Sequence, residues 1–291
     1  MSDSIHLMSA VERIGIVGAG FMGTGIAETV ARSGLDVVVH EPDEVPLERS
    51  RGRLRESVAH AVERSKLDSA EAEALAARIT WSTDPEALAR SELAIEAVTE
   101  DPDVKAGVFR SLDALLGPGA MIASNTSSIP IAQLASQTDR RDQVLGLHFF
   151  SPAPVMRLVE VVVGIDTSEE TVRRAEAFIE AIGKRPIRTK DRSGFIVNML
   201  LVPYLMAGVR MYEEGFAARE AIDEGMRLGC GHPMGPLELA DFIGLDVLYA
   251  VCDSLYEEFK RPEYAPPPLL KRMVVSGHHG RKTGRGFYEY D

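Results

Sequence analysis

Two sets of residues in this chain have the types and spacing that chemistry needs. The first is Gly18-x-Gly20-x-x-Gly23, with Phe21 and Met22 between the last two glycines. It follows the β-branched run Ile14 to Val17 and opens an apolar, helix-compatible segment through Ala31. In a strand–turn–helix of this kind the first glycine permits the tight turn. The second lets a diphosphate approach the backbone, and the third lets the helix pack close to the strand. Glycines also mark bulges and ordinary turns. Here a second strand, Leu35 to Glu41, ends on a carboxylate about 20 residues past the glycines, where it would accept from a ribose 2′-hydroxyl. The pattern and the acid together point to a bound dinucleotide.

The second set is His148 and Glu160. His148 ends an apolar strand beside Phe149 and Phe150. The carboxyl ends of parallel strands face the ligand crevice, and a neutral imidazole there can take an alcohol proton while a hydride leaves the same carbon. A satisfied core histidine is the alternative. Glu160 interrupts Leu158-Val-Glu-Val-Val-Val163, and a carboxylate so placed needs a partner, for which His148 on a neighbouring strand is the obvious one, unless the strand lies at an edge. Asn125-Thr-Ser-Ser128 lies between a strand and a helix, where hydroxyls act as caps by default. Asn198 is a lone polar group on an apolar helix. The other six histidines read as solvated or capping residues.

The elements that must position these groups alternate. A long helix over Asp43 to Lys66 has apolar residues at Leu54, Val58, Ala61 and Val62, and Asp68-Ser-Ala-Glu71 has the form of a capping box for the helix through Arg78. This arm, about 43–78, exceeds what a simple crossover needs. Strands are expected at Ile79–Ser82, Leu93–Val98, Met121–Ser124, Val144–Phe150, Leu158–Val163 and Pro186–Thr189, with helices over Val104–Leu116, from near Pro130, and over Ser168–Ile182. The alternation predicts an α/β fold, a Rossmann-type doubly wound parallel sheet over 1–190. From Phe195 only helical runs follow: Phe195–Glu214, kinked at Pro203, then Glu220–Leu228, Pro236–Phe242 and Asp246–Phe259. They predict an all-helical C-terminal domain over 191–291, with Pro266–Pro268 and Gly277–Gly286 as surface connections.

Composition narrows the partners. With 291 residues and 45% hydrophobic content the chain can bury substantial cores, and its formal net charge of −12 opposes nucleic-acid or anionic-membrane binding. Cys230 and Cys252 show no metal-binding or paired spacing, which suits a reducing, cytoplasmic setting and no metal. Met1 to Val11 is polar, and Met199–Val209 is too short to span a bilayer. The apolar residues of that helix, among them Met199, Leu200, Met206 and Met211, cover more than one face, so a homodimer through the C-terminal domain is expected.

Eight separated motifs, in order along nearly the whole chain, resemble the L-3-hydroxyacyl-CoA dehydrogenase family. They are Gly18-x-Gly20-x-x-Gly23, Glu100-x-x-x-x-Lys105, Ser124-Asn-Thr-Ser-Ser128, Leu147-His-Phe-Phe150, Leu158-Val-Glu160, Gly194-Phe-Ile-Val-Asn198, Pro233-Met-Gly-Pro236 and Arg281-Lys-Thr-Gly-Arg-Gly-Phe-Tyr288. The resemblance implies NAD-dependent interconversion of a short-chain (S)-3-hydroxyacyl-CoA, with 3-hydroxybutyryl-CoA expected, and its 3-ketoacyl-CoA. It makes His148 the acid/base, Glu160 its orienting carboxylate, and Ser127 and Asn198 the groups on the substrate's 3-oxygen. Glu41, Glu100, Lys105, Asn125 and Lys282 would contact the cofactor, and Ser57 and Arg64 coenzyme A. Ser151 stands where the family has a cofactor-contacting asparagine, and Arg64 where lysine is common. The alternatives are the same chemistry on an acyl-carrier-bound substrate, and a non-catalytic nucleotide-binding protein of the same fold.

Overall fold

The computed structural model describes residues 11–290; the polar N-terminal stretch noted above falls outside this range except for Val11. The chain forms two compact units, the first ending at Asp191 and the second starting at Arg192. Among the described residues no helix is long and apolar enough to cross a membrane.

The first unit is one eight-stranded sheet with helices. In chain order it contains β1 (Arg13–Val17), α1 (Phe21–Arg32), β2 (Asp36–His40), α2 (Glu44–Glu63), α3 (Ser69–Ala77), β3 (Ile79–Ser82), β4 (Leu93–Glu96) and α4 (Pro102–Leu115). Then come β5 (Met121–Ser124), α5 (Ile131–Ala135), β6 (Val144–Phe149), β7 (Leu158–Val163), α6 (Glu169–Ala181) and β8 (Arg185–Lys190). The strand order is β3-β2-β1-β4-β5-β6-β7-β8. Strands β1, β4, β5 and β6 are buried almost throughout, as a sheet covered on both faces requires, whereas β8 carries Arg185, Arg188 and Lys190 on an exposed edge.

A wholly parallel sheet is not what forms. β6 and β7 pair antiparallel, so β7 and β8 run against the other six strands. The physical cause is the connection: residues 150–157 are too few for a parallel crossover, which takes a dozen or more residues. The reversal matters for the site, because it puts His148 directly opposite Glu160 in the ladder.

Two helical devices set the arm. Asp68 and Glu71 form the reciprocal capping box that opens α3. The buried hydroxyls of Thr24 on α1 and Ser50 on α2 hydrogen-bond across the helix pair.

The second unit is all helical: α7 (Val197–Glu213), α8 (Arg219–Cys230), α9 (Pro236–Ile243), α10 (Leu245–Phe259) and α11 (Pro268–Val275). Val202, Leu205, Met206, Val209, Leu237, Leu248 and Leu270 are part of its core. α7 continues as one helix through Pro203 and starts at Val197, two residues later than expected, because Gly194 and Phe195 both have left-handed backbone. The prolines before residue 269 are not simply a connection. Pro268 is the first residue of α11, where a missing N–H costs nothing. Nor is the glycine-rich tail merely a surface turn, since Phe287 is buried and Gly280 packs against the backbone of Asp241.

Candidate active site

The cofactor turn lies between β1 and α1, and its three glycines have three different reasons. Gly18 has φ +102°, and a Cβ there would meet the Ala97 carbonyl oxygen at 2.7 Å. A Cβ on Gly23 would lie 1.9 Å from the Gly18 oxygen, so only glycine lets α1 sit this close to the turn. Around Gly20, which caps α1, no atom other than those of Gly20 and its two chain neighbours lies within 4 Å of the Cβ position. That open space beside the unpaired N–H groups of a 12-residue helix fits a diphosphate.

Glu41 stands just past the end of β2, and its Oε2 accepts from Ala19 N–H at 3.0 Å. A cleft of about 860 Å³ runs beside this turn and is lined by Gly18, Gly20, Glu41, Arg49, Arg53 and Val98 among others. Phe21 is exposed at the start of α1, while Met22 packs against the core. These residues fit a dinucleotide, with Glu41 placed to take a ribose hydroxyl and the turn to take the diphosphate.

The candidate proton-transfer groups lie just after β5, near the end of β6 and on β7. His148 and Glu160 are both buried, with His148 Nδ1 2.7 Å from Glu160 Oε2. An ionised carboxylate only accepts, so Nδ1 carries the proton and Nε2 presents its lone pair. Ser127 Oγ lies 2.9 Å from that Nε2. A buried imidazole held on one side by a carboxylate and opposed on the other by a hydroxyl is a proton-transfer arrangement.

The Ser127 loop is held by Glu100. Its Oε1 accepts from the Thr126 hydroxyl at 2.5 Å, from Ser127 N–H at 2.9 Å, and from Ser128 N–H and Oγ at 3.2 and 3.1 Å. Burial pushes the Glu100 carboxyl up, but the Lys105 charge and the Thr126 and Ser127 hydrogen bonds outweigh it and hold the group below the ordinary carboxylate range. Asn125 Oδ1 accepts from Phe149 N–H at 2.9 Å, tying the end of β5 to the end of β6.

Lys105 is 1% exposed, and its ammonium is enclosed by Glu96 Oε1 at 2.6 Å and Glu100 Oε2 at 3.3 Å. Glu96, absent from the sequence reading, is fully buried at the end of β4 and also accepts from Ser124 Oγ at 2.6 Å and Val98 N–H at 2.7 Å. A carboxylate closing the apolar strand Leu93–Glu96 was the available signal. In this geometry Lys105 reaches the site through Glu100.

The remaining residues fall in several places. Ser57 and Arg64 line a second cleft of the first unit, about 630 Å³, together with Phe21, Arg53 and Pro152. Ser151 is exposed just after β6 and precedes a cis Pro152. His40 is buried with Nδ1 3.2 Å from Ser82 O, and so departs from the solvated or capping role expected of it. In the second unit Asn198 is half-buried on the first turn of α7, and Lys282 Nζ donates to Asp246 Oδ2 at 2.7 Å.

Known proteins are similar to this chain over both units. Residues 13–192 match the family model described as 3-hydroxyacyl-CoA dehydrogenase, NAD binding domain, and residues 194–290 match 3-hydroxyacyl-CoA dehydrogenase, C-terminal domain. A 3-hydroxybutyryl-CoA dehydrogenase of Mycobacterium tuberculosis is 48% identical over 98% of this chain and all of its own length. The human mitochondrial hydroxyacyl-coenzyme A dehydrogenase is 40% identical over 96% of this chain and 91% of its own. The crystal structure of (S)-3-hydroxybutyryl-CoA dehydrogenase from Ralstonia eutropha superposes with a TM-score of 0.91 at 44% identity, covering 97% of this chain and all of that one. The chain belongs to the 3-hydroxyacyl-CoA dehydrogenase family of NAD-dependent oxidoreductases.

Proposed function

We propose that the enzyme interconverts (S)-3-hydroxybutyryl-CoA and acetoacetyl-CoA, with His148 as acid/base and Glu160 as its orienting partner. The observation that carries this reading is the antiparallel register of β6 and β7, which sets a buried imidazole against a buried carboxylate with Nε2 facing Ser127. In oxidation Nε2 takes the proton of the 3-hydroxyl while Ser127 aligns that oxygen. Glu160 stabilises the imidazolium that results. A dinucleotide held at the glycine turn and Glu41 would supply the hydride acceptor for C3. In reduction the imidazolium returns its proton to the carbonyl oxygen. Glu100, anchored by Lys105, keeps Ser127 at its distance from the imidazole. Asn198 is assigned the second donor to the 3-oxygen on resemblance alone.

Coenzyme A is favoured over a carrier-bound acyl chain by the cleft at Ser57 and Arg64, which also presents Arg32, Arg53 and Lys66, cations suited to a phosphorylated nucleotide. Glu41 leaves no room for a 2′-phosphate without charge repulsion, so NADH is expected to outperform NADPH in kcat/KM. Mixing the pure enzyme with NADH and acetoacetyl-CoA and following nicotinamide absorbance tests the function. Steady oxidation of NADH is expected, and no turnover with any 3-ketoacyl thioester would overturn it.

We also infer a cytoplasmic homodimer built through the second unit. Leu200 on α7 is 73% exposed and Phe242 on α9 is 47% exposed, apolar surface that calls for a cover. Met206 is fully buried, so a charge there would report on the core and not on an interface. Leu200→Asp is the informative variant: light scattering should give a dimer for the wild type and a monomer for the variant.

A further inference from the structure

Arg53 on α2 has the environment of a ligand-binding residue. Its Nη2 donates to the Ala19 carbonyl at 2.5 Å, within the glycine turn, while its Nε is buried with no hydrogen-bond partner. A buried, unpaired guanidinium N–H is costly, and a site that tolerates it has a use for the charge. Among the described residues, Arg53 is also the one that lines both the cleft of Gly18, Gly20 and Glu41 and the cleft of Ser57 and Arg64.

On the reading given above, the first cleft receives the diphosphate of the dinucleotide and the second receives the phosphates of coenzyme A. Both ligands are anions, and each repels the other. A fixed cation on the shared wall leaves that repulsion as it is but attracts each ligand, and so offsets the cost of holding both. Other charges in the second cleft are less suited to the task. Arg32 is paired with Glu28 at 2.6 Å, and Arg64 is exposed at the end of α2. In the first cleft, Arg49 does not reach the second.

We propose that Arg53 is a binding residue shared by cofactor and acyl-CoA, whose charge attracts both anionic ligands in neighbouring clefts. This rests on the coenzyme A reading of the second cleft. A merely structural Arg53, bracing Ala19 for the cofactor, would affect one ligand; a shared cation raises the affinity of both.

The test is calorimetric titration of NADH and of coenzyme A, each alone and at saturation of the other, into wild type, Arg53→Met and Arg53→Lys. Both ligands should bind Arg53→Met several-fold more weakly than the wild type, with the ratio of affinities measured alone and at saturation of the other ligand the same in both proteins. Arg53→Lys, which keeps the charge but not the planar fork, should recover most of both affinities. An Arg53→Met variant that weakens NADH while leaving coenzyme A binding unchanged would overturn the proposal. Wild-type protein that binds NADH but no coenzyme A would sink the substrate reading itself, and the shared role with it.

Discussion

Each unit of the molecule buries carboxylates, and the two units use them differently. In the first, Glu160 and Glu96 face ionisable side chains, His148 and Lys105. In the second, Asp241 accepts from Phe287 N–H, Tyr288 N–H and the Tyr290 hydroxyl, all at 2.9 Å, and Asp223 accepts from Leu237 and Glu238 N–H and the Tyr288 hydroxyl. Asp223 thereby caps α9 from the preceding helix, α8, and Asp241 pins the C-terminal strip. The packing there is tight enough that a Cβ on Gly286 would fall 2.0 Å from Asp241 Oδ1. A buried carboxylate whose partners are backbone N–H groups and phenols is a fastener. One whose partner is an imidazole with its far nitrogen facing a hydroxyl is the arrangement we propose as a proton path.

The largest effects should fall on the proton path. His148→Gln is expected to lower kcat by roughly 10²–10⁴ while leaving NADH affinity near wild type, and Glu160→Gln to act in the same range. Rapid-mixing kinetics together with NADH titration separate the two quantities. Retained kcat in either variant would place the chemistry elsewhere.

The fasteners should respond in stability instead. Asp241→Ala strands two backbone N–H groups and a phenol, and is expected to cost about 3–5 kcal/mol in chemical unfolding, with kcat of the folded fraction little changed. A stable Asp241→Ala protein with collapsed kcat would erase the distinction drawn between the units. Burial raises the Asp241 carboxyl against the pull of its donors, so its contribution is greatest below the ordinary aspartate range and declines as pH rises through the folded value.

Glu100 lies between the two classes and should show the smallest effect. Its carboxyl is held below the ordinary range, so the stability it lends the Ser127 loop is present above the unfolded value near 4.5 and lost as pH falls through the folded one. Comparing melting temperatures at pH 7 and pH 4, the wild type should lose somewhat more on acidification than Glu100→Gln. Equal losses would mean that Glu100 is not held by this loop.

Much of this was legible in the residues. The glycine turn, the acid after β2, the capping box of α3 and most strands and helices follow from local pattern, because each depends on a few adjacent residues. His148 and Glu160 stood out as polar groups in apolar strands, yet their pairing depends on the β6–β7 register, and the short connection that reverses β7 was overlooked in favour of the general alternation. Glu96 was missed because its partners, Ser124 and Lys105, come from separate elements. The same is true of Arg53, a plain surface arginine on the helical arm until α1 and α2 pack and set it against Ala19. α11 was hidden by the prolines that open it.

The central claim is that His148 and Glu160 act as one unit, and a double-mutant cycle in kcat tests it most directly. His148→Gln, Glu160→Gln and the double variant are measured with NADH and acetoacetyl-CoA at saturation. If Glu160 works through the imidazole, the double variant should be about as slow as His148→Gln alone. A double variant slowed by the product of the two single losses would contradict it.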